Sequence, residues 1–159
     1  MPNPNIDFSA GSVLLASQQN RLPRGVMQFA SSSTNYTLTA TDTIATGMSA
    51  TFTAVADRYY RVTYYEPQAQ TPSAVSGFVN LSIKLDTAAG ATVNYGRIQT
   101  SAALTITGNV NTVAVITYAT GGSKVVVGAA SVNVTTGAPT LQRSAQQPAF
   151  LLVEDIGPI

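Results

Sequence analysis

The feature that most constrains the fold is a series of short segments of strand-forming residues, separated by turn residues at roughly 8–12-residue spacing. The clearest segment is Phe78–Leu85, where apolar residues occupy every second position. This alternation is typical of a strand with one buried face. The residues predicted to face inward are Val79, Leu81, Ile83 and Leu85.

Other segments have the same character. Met48–Ala54 alternates apolar and polar residues, and Tyr59–Tyr65 is rich in strand formers and is predicted to end at Glu66-Pro67. Further predicted strands are Gly25–Phe29, Thr92–Tyr95, Leu104–Ile106, Val113–Tyr118, Lys124–Val127, Val132–Val134 and Phe150–Val153. Turns are predicted at Asp86–Gly90, Gly108-Asn109 and Gly121-Gly122. The pattern predicts an all-β fold, an antiparallel jelly-roll-like sandwich with a short N-terminal arm.

The first residues differ from the rest of the chain. Residues 1–24 are predicted to be an N-terminal arm with a short helix over Val13–Asn20 that Ser12 caps, and residues 25–159 the sandwich domain. Eight residues are too few to be helical alone, so the arm must dock, either on its own domain or on a neighbouring protein. In the second case its anchoring contacts are Phe8, Val13, Leu14 and Leu15.

The composition argues against catalysis. The 159 residues include no Cys and no His, so the chain lacks thiolate nucleophiles and Ser-His-Asp machinery, and we expect no enzyme activity, no metal and no cofactor. Asp57 and Glu66 flank the Tyr-rich segment and could in principle form a glycosidase pair. We interpret them instead as turn residues at strand ends. Asp86 near Gly90 lacks the further oxygen ligands that calcium requires.

The low charge points to protein partners. Only 9% of residues are charged and the net charge is +1, which argues against nucleic acid and against a membrane as partners. A neutral, Thr-rich exterior suits packing against copies of the same chain or against other shell proteins, because few charges must be desolvated. The opening Met1–Asn5 lacks the features of a signal peptide, so we expect synthesis and retention in the cytoplasm.

Two strands carry candidate contact residues. In the Tyr-rich strand, alternation places Tyr60, Val62 and Tyr64 on one face, with Tyr59, Arg61, Thr63 and Tyr65 on the other. One interpretation is a glycan-binding surface; the favoured one is a core face opposite a subunit contact. Phe150–Val153 is apolar on both faces, which places it in the middle of a sheet or, as we favour, at an oligomer axis. The predicted oligomer or surface contacts are Tyr59, Arg61, Tyr65, Phe150 and Leu152.

Three stretches of the chain are distinctive: Phe8–Asn20 followed by Leu22–Val26, Phe52–Thr63, and the ending Ala149–Pro158. They resemble a family of tailed-phage virion structural proteins, and residues 67–148 match that family only in general character. The resemblance implies a structural component of the phage particle, of the minor structural, tail-associated or capsid decoration type. It brings no catalytic residue with it.

Two roles in the virion remain open. In the favoured one the chain is a capsid decoration or cement protein, a homotrimer whose arm grips the major capsid protein. The alternative is a short tail or head fibre whose outer surface binds a host receptor. A fibre needs a shaft, and the sequence has neither coiled-coil heptads nor a collagen-like repeat. In either role the protein is made in the host cytoplasm and ends in the virion.

Overall fold

The computed structural model describes residues 22–70, 77–100, 107–136 and 138–159, which form ten β-strands. The predicted helix, the anchoring residues Phe8, Val13, Leu14 and Leu15, and the segment Leu104–Ile106 lie outside these ranges, so they stay predictions. The strands are β1 Gly25–Ser32, β2 Tyr36–Thr37, β3 Thr43–Ala54, β4 Arg58–Gln70, β5 Gly77–Leu85, β6 Thr92–Thr100, β7 Thr107–Thr117, β8 Gly122–Val132, β9 Thr140–Gln142 and β10 Ala149–Pro158.

The strands form two antiparallel sheets packed face to face. The first has the order β1-β10-β4, with β7 on the other side of β4 and the short β9 and β2 near the end of β4. The second has the order β3-β8-β5-β6. The pairs β1–β10, β3–β8, β4–β7 and β5–β6 are nested inside one another along the sequence. This is the pairing of a long ribbon wrapped around a core, so the fold is a jelly-roll-like sandwich, as predicted.

The alternating residues fill the space between the sheets, as the sequence pattern predicted. Val79, Leu81 and Ile83 of β5 are fully buried, and Leu85 is partly buried against the same core. Met48–Ala54 contributes its apolar positions from β3 in the same way. In β4, Tyr60 and Tyr64 point inward. Gly128 of β8 faces Tyr64, where a Cβ would lie 2.9 Å from the ring, so only glycine leaves room for this tyrosine.

Two sites that were predicted to end or separate strands, Glu66-Pro67 and Gly108-Asn109, lie inside strands in the structure. β4 does not end at Glu66-Pro67 but continues to Gln70, and its pairing with β7 shifts register between Glu66 and Ala69. That irregularity accommodates Pro67, which has no N–H to donate to the ladder. Gly108-Asn109 is not a turn, since both residues belong to β7. A Cβ on Gly108 would lie 2.5 Å from the Ile98 side chain, so this glycine permits a close approach between strands.

The segment after Gly121-Gly122 also differs from its prediction. Lys124–Val127 and Val132 belong to one strand, β8, rather than to two separate strands. The residues between them include Gly128, Ala129 and Ala130, which have low strand propensity. They are nevertheless buried in the sheet between β3 and β5, so tertiary packing decides their conformation.

A buried ion pair holds the far end of β4. Glu66 and Arg143 are both fully buried, with Nη2–Oε1 2.5 Å and Nε–Oε2 2.9 Å. Tyr64 donates its hydroxyl to the same carboxylate at 2.6 Å, and Arg143 donates to the carbonyl oxygens of Thr34 and Thr46. Burial, together with the charge of Glu66, raises the pKa of Tyr64 well above its ordinary value. Glu66 is therefore a core residue and not the turn residue that the sequence predicted.

A second buried ion pair holds the near end of β4. The Arg58 guanidinium donates to both oxygens of Asp155, with Nε–Oδ2 2.6 Å and Nη2–Oδ1 2.8 Å. Asp155 also accepts from the backbone N–H of Gly157, and Arg58 donates to the carbonyl oxygen of Leu22. This two-point contact between charged groups fixes the register of β4 against β10.

We predict that Glu66→Gln lowers the free energy of unfolding by about 3–5 kcal/mol, because it leaves the Arg143 guanidinium buried without its counter-charge. Urea denaturation followed by far-UV circular dichroism measures this value. The matched control is Glu154→Gln, which breaks the partly exposed ion pair with Arg61 and is expected to shift the midpoint far less. Equal midpoints for the two variants would contradict the structural role given to Glu66.

Candidate functional site

Along β1, β10, β4 and β7, the side chains that alternate with the core residues form one continuous surface, which we call the outer face. Cross-strand register aligns its members in rows: Phe29 lies opposite Leu152, Leu152 opposite Thr63, and Thr63 opposite Val113. The larger side chains of the outer face include Val26, Phe29, Tyr59, Arg61, Tyr65, Val113, Val115, Phe150, Leu152 and Glu154, and Ser31, Thr63, Asn111 and Thr117 lie among them.

An aromatic row crosses three strands of the outer face. Phe150 of β10 stacks on Tyr65 of β4, with ring centroids 5.2 Å apart, and on Phe29 of β1, with centroids 5.9 Å apart. Both ring pairs are within 30° of parallel, since their interplanar angles are 24° and 28°. Phe150 therefore supports both neighbours and holds them as a rigid apolar strip.

Several apolar side chains on this face remain open to solvent. Val115 is 57% exposed, Phe29 is 54% exposed and Val113 is 43% exposed. Four strands spaced ~4.8 Å apart, along a β10 about 30 Å long, give the outer face an area of about 600 Å². This area includes the polar side chains of Arg61, Thr63 and Glu154, and the largest apolar patch on a typical monomer covers about 300–600 Å² and is often functional. The outer face is therefore a candidate interaction surface.

The charged groups on the outer face balance each other. Arg61 of β4 donates from Nε to Glu154 of β10 at 2.9 Å. The hydrogen bond and then the charge of Glu154 raise the pKa of the Arg61 guanidinium. Because one positive and one negative group lie side by side, the outer face of another copy can offer an opposite charge to each of the two groups.

The structure brings the predicted contact residues together. Tyr59, Arg61, Tyr65, Phe150 and Leu152 all lie on the outer face, on the neighbouring strands β4 and β10. β10 lies between β1 and β4, so the apolar character of both its faces fits the middle of a sheet, the first of the two predicted positions. The oligomer axis stays a prediction.

Phe29, Val113 and Val115 were not among the contact residues predicted from the sequence, although they flank them on the outer face. The sequence could have placed Val113 and Val115 together on one face of a strand, because they alternate with Thr112 and Ala114 and the strand itself was predicted. What the sequence does not show is that β7 lies beside β4 and turns these valines toward the face that carries Tyr59 and Tyr65.

The acidic pair considered for glycoside hydrolysis is not assembled. Asp57 lies in the turn before β4 and Glu66 lies near the other end of that strand, so about 30 Å separate them. Glu66 is also engaged by Arg143. Within residues 22–70, 77–100, 107–136 and 138–159, no cluster of three or more acidic, His or Cys residues could hold a metal ion. The same residues contain no helix that is long and apolar enough to span a membrane.

Comparisons with known proteins give structural neighbours only. No protein-family model matches the chain, and no curated protein matches it. Among solved structures, Eiger TNF from S. frugiperda is 8% identical with a TM-score of 0.48, and the match covers 84% of this chain and 95% of that one. CBM35 from Cellvibrio japonicus Abf62 is 11% identical with a TM-score of 0.34, and the match covers 83% and 99%.

A third neighbour is CsCBM6-3 from Clostridium stercorarium in complex with cellobiose, which is 12% identical with a TM-score of 0.27; the match covers 69% of this chain and 66% of that one. All three TM-scores are below 0.5. The assignment to the jelly-roll class therefore rests on the strand order of this chain itself.

The aromatic row predicts unequal effects of two matched substitutions. Phe150→Ala removes two ring contacts and is expected to lower the free energy of unfolding by about 1–3 kcal/mol beyond the loss of buried area, since each contact contributes about 0.5–1.5 kcal/mol. Phe29→Ala removes one contact and is expected to have about half that effect. Urea denaturation of both variants measures the difference. A larger effect for Phe29→Ala would contradict the central place of Phe150.

Proposed function

We propose that this chain is a structural assembly domain of a phage particle, a capsid decoration protein whose copies pack together through the outer face. The observation that carries the proposal is this face, where Phe29, Val113 and Val115 are each more than 40% exposed next to a rigid aromatic row. In this structural role the protein needs neither catalytic residues nor a cofactor.

The size of the outer face favours a second copy of this chain as its occupant. Its area of about 600 Å² is that of the flat sheet, and side chains that project from the sheet add to it. A standard interface buries about 800 Å² on each partner, so the outer face supplies most of what a stable contact needs. A rigid surface also limits the conformational entropy lost on association.

The charges of the outer face favour the same occupant. Arg61 and Glu154 are neighbours on adjacent strands, so around a threefold axis Arg61 of one copy can pair with Glu154 of the next. With a net charge of +1 over the whole chain, repulsion between copies is small. We expect a homotrimer, the state predicted from the sequence, as the assembly that results.

The phage setting of the proposal is supported by the sequence resemblance. Two of the three resembling stretches build the centre of the outer face: Ala149–Pro158 coincides with β10, and Phe52–Thr63 contains the first half of β4. These two stretches contribute Tyr59, Arg61, Thr63, Phe150, Leu152 and Glu154 to the proposed contact, and Phe29, Tyr65, Val113 and Val115 lie outside them. In this setting the N-terminal arm is the part proposed to contact the major capsid protein.

We predict that Val115→Glu prevents self-association, because it replaces an exposed apolar side chain with a second carboxylate beside the Arg61–Glu154 pair and gives both contacting surfaces an excess negative charge. The unmodified protein is expected to have an oligomeric mass in size-exclusion chromatography with multi-angle light scattering, and the variant a monomeric mass. Val115 is 57% exposed, so the fold should tolerate the change and the thermal midpoint should stay close to that of the unmodified protein.

The matched control is Val93→Glu on β6, an exposed valine of the opposite sheet. This variant is expected to keep the oligomeric mass. A strictly monomeric unmodified protein, or loss of association in the Val93→Glu variant alone, would contradict the proposed interface.

The position in the particle needs a separate test. Purified protein is expected to bind phage shells that lack it, with hundreds of copies per particle when binding is quantified by mass spectrometry. A handful of copies located at the tail would overturn the decoration role and favour the fibre role instead.

A further inference from the structure

A polar hollow lies on the sheet opposite the outer face, over strands β5 and β6. Its volume is about 210 Å³. The residues that line it are Asp42, Asn80, Ser82, Thr92, Tyr95 and Arg97. Since this surface belongs to the other sheet, packing of copies through the outer face does not cover it.

Strand register assembles the hollow from separate parts of the chain. Asn80 of β5 lies directly opposite Arg97 of β6, and Ser82 lies opposite Tyr95. Asp42, just before β3, joins them by accepting a hydrogen bond from the Ser82 hydroxyl at 3.2 Å. The hollow is therefore lined from three segments that are distant in the sequence.

The polar groups of the hollow are held in fixed positions. Arg97 donates from Nε to Oδ1 of Asn80 at 2.8 Å, and its guanidinium lies over the Phe78 ring, 3.9 Å from the centroid. On the other side, Lys84 forms an ion pair with Asp42 at 2.9 Å. Because these side chains are already held in place, they lose less conformational entropy when a ligand binds.

The hollow offers both donors and acceptors. Burial by itself raises the pKa of the Asp42 carboxyl, but hydrogen bonds from Ser131, Lys84 and Ser82 and the charge of Lys84 lower it below its ordinary value overall. Asp42 is therefore an ionised acceptor at neutral pH, while Arg97 presents a guanidinium that can only donate. An anion site would need donors alone and a metal site acceptors alone. A mixed set fits hydroxyl groups, each of which donates and accepts.

An exposed aromatic ring borders these polar groups. Tyr95 is 61% exposed, and the Arg97 guanidinium lies 5.8 Å from its ring centroid. The ring makes a flat apolar platform at low entropic cost beside the mixed donors and acceptors. A sugar ring has the matching surface, because its C–H groups form an apolar face while its hydroxyls project from the edge.

We propose that this hollow binds one sugar unit of a neutral glycan, with Tyr95 under the ring and with Asp42, Asn80 and Arg97 on its hydroxyls. The volume of about 210 Å³ is smaller than the roughly 300–1,000 Å³ of drug-sized pockets, which limits the ligand to about one ring. For so small a contact we expect a Kd of about 1 mM.

The test is a titration of the full ¹⁵N-labelled chain with a panel of neutral hexoses, N-acetylhexosamines and their short oligomers, followed by amide NMR shifts. At least one saccharide is expected to cause saturable shifts in β5 and β6, around Ser82 and Tyr95. Inorganic phosphate and calcium chloride serve as anion and cation probes and are expected to cause none there. The absence of saturable shifts at the hollow for every saccharide, or saturation by phosphate instead, overturns the proposal.

Three tyrosine variants sharpen the test. Tyr95→Ala is expected to abolish the saturable shifts, whereas Tyr95→Phe keeps the platform and retains binding. Tyr59→Ala is the matched control on the outer face and is expected to bind as well as the unmodified chain. If Tyr59→Ala abolished binding and Tyr95→Ala did not, the glycan would lie on the tyrosines of the outer face and the proposal would be wrong. Because shifts are read at each residue, the outcome does not depend on whether the chain self-associates.

Discussion

The position of β4 depends on two buried ion pairs, one near each end of the strand. Arg58, at the start of β4, pairs with Asp155 of β10, and Glu66, near the end of β4, pairs with Arg143, the residue that follows β9. Separating either pair would leave a charge buried without a partner, at several kcal/mol. A slip of one residue would also exchange the two faces of the strand. The ion pairs therefore determine that Tyr60 and Tyr64 enter the core while the residues between them form the outer face.

The two surfaces of the sandwich have different chemistry because different sheets form them. The outer face carries exposed apolar side chains beside the balanced Arg61–Glu154 pair, which suits contact with another copy of the chain. The hollow over β5 and β6 is polar and is supported by Asp42 and by the Phe78–Arg97 contact, which suits a small hydroxylated ligand. An assembly formed through the outer face would leave the hollows pointing away from the contact.

The sequence predicted much of the fold because the period of two along β3, β4 and β5 reports directly which residues are buried. The sequence prediction failed where the sheet overrode local turn chemistry. Pro67 lies at a register shift within β4, and Gly108 of β7 leaves room for the side chain of Ile98 on β6. The sequence prediction identified half of the outer face, since Tyr65 and Phe150 stand out in their own strands. The positions of Phe29 and Val115 beside these residues, and the assembly of the hollow, are determined by which strands pair. The residue pattern of one strand does not predict which strand lies next to it.

The most direct test of the account is the distance between equivalent positions in two copies. Because the chain contains no cysteine, Val115→Cys introduces a single thiol on the outer face that a nitroxide spin label can occupy, and Ser123→Cys does the same at an exposed position of β8 on the opposite sheet. Double electron–electron resonance then measures label separations within the assembly. Packing through the outer face predicts a clearly shorter separation for labels at 115 than for labels at 123. No dipolar coupling between copies, or a shorter separation at 123, would contradict this packing.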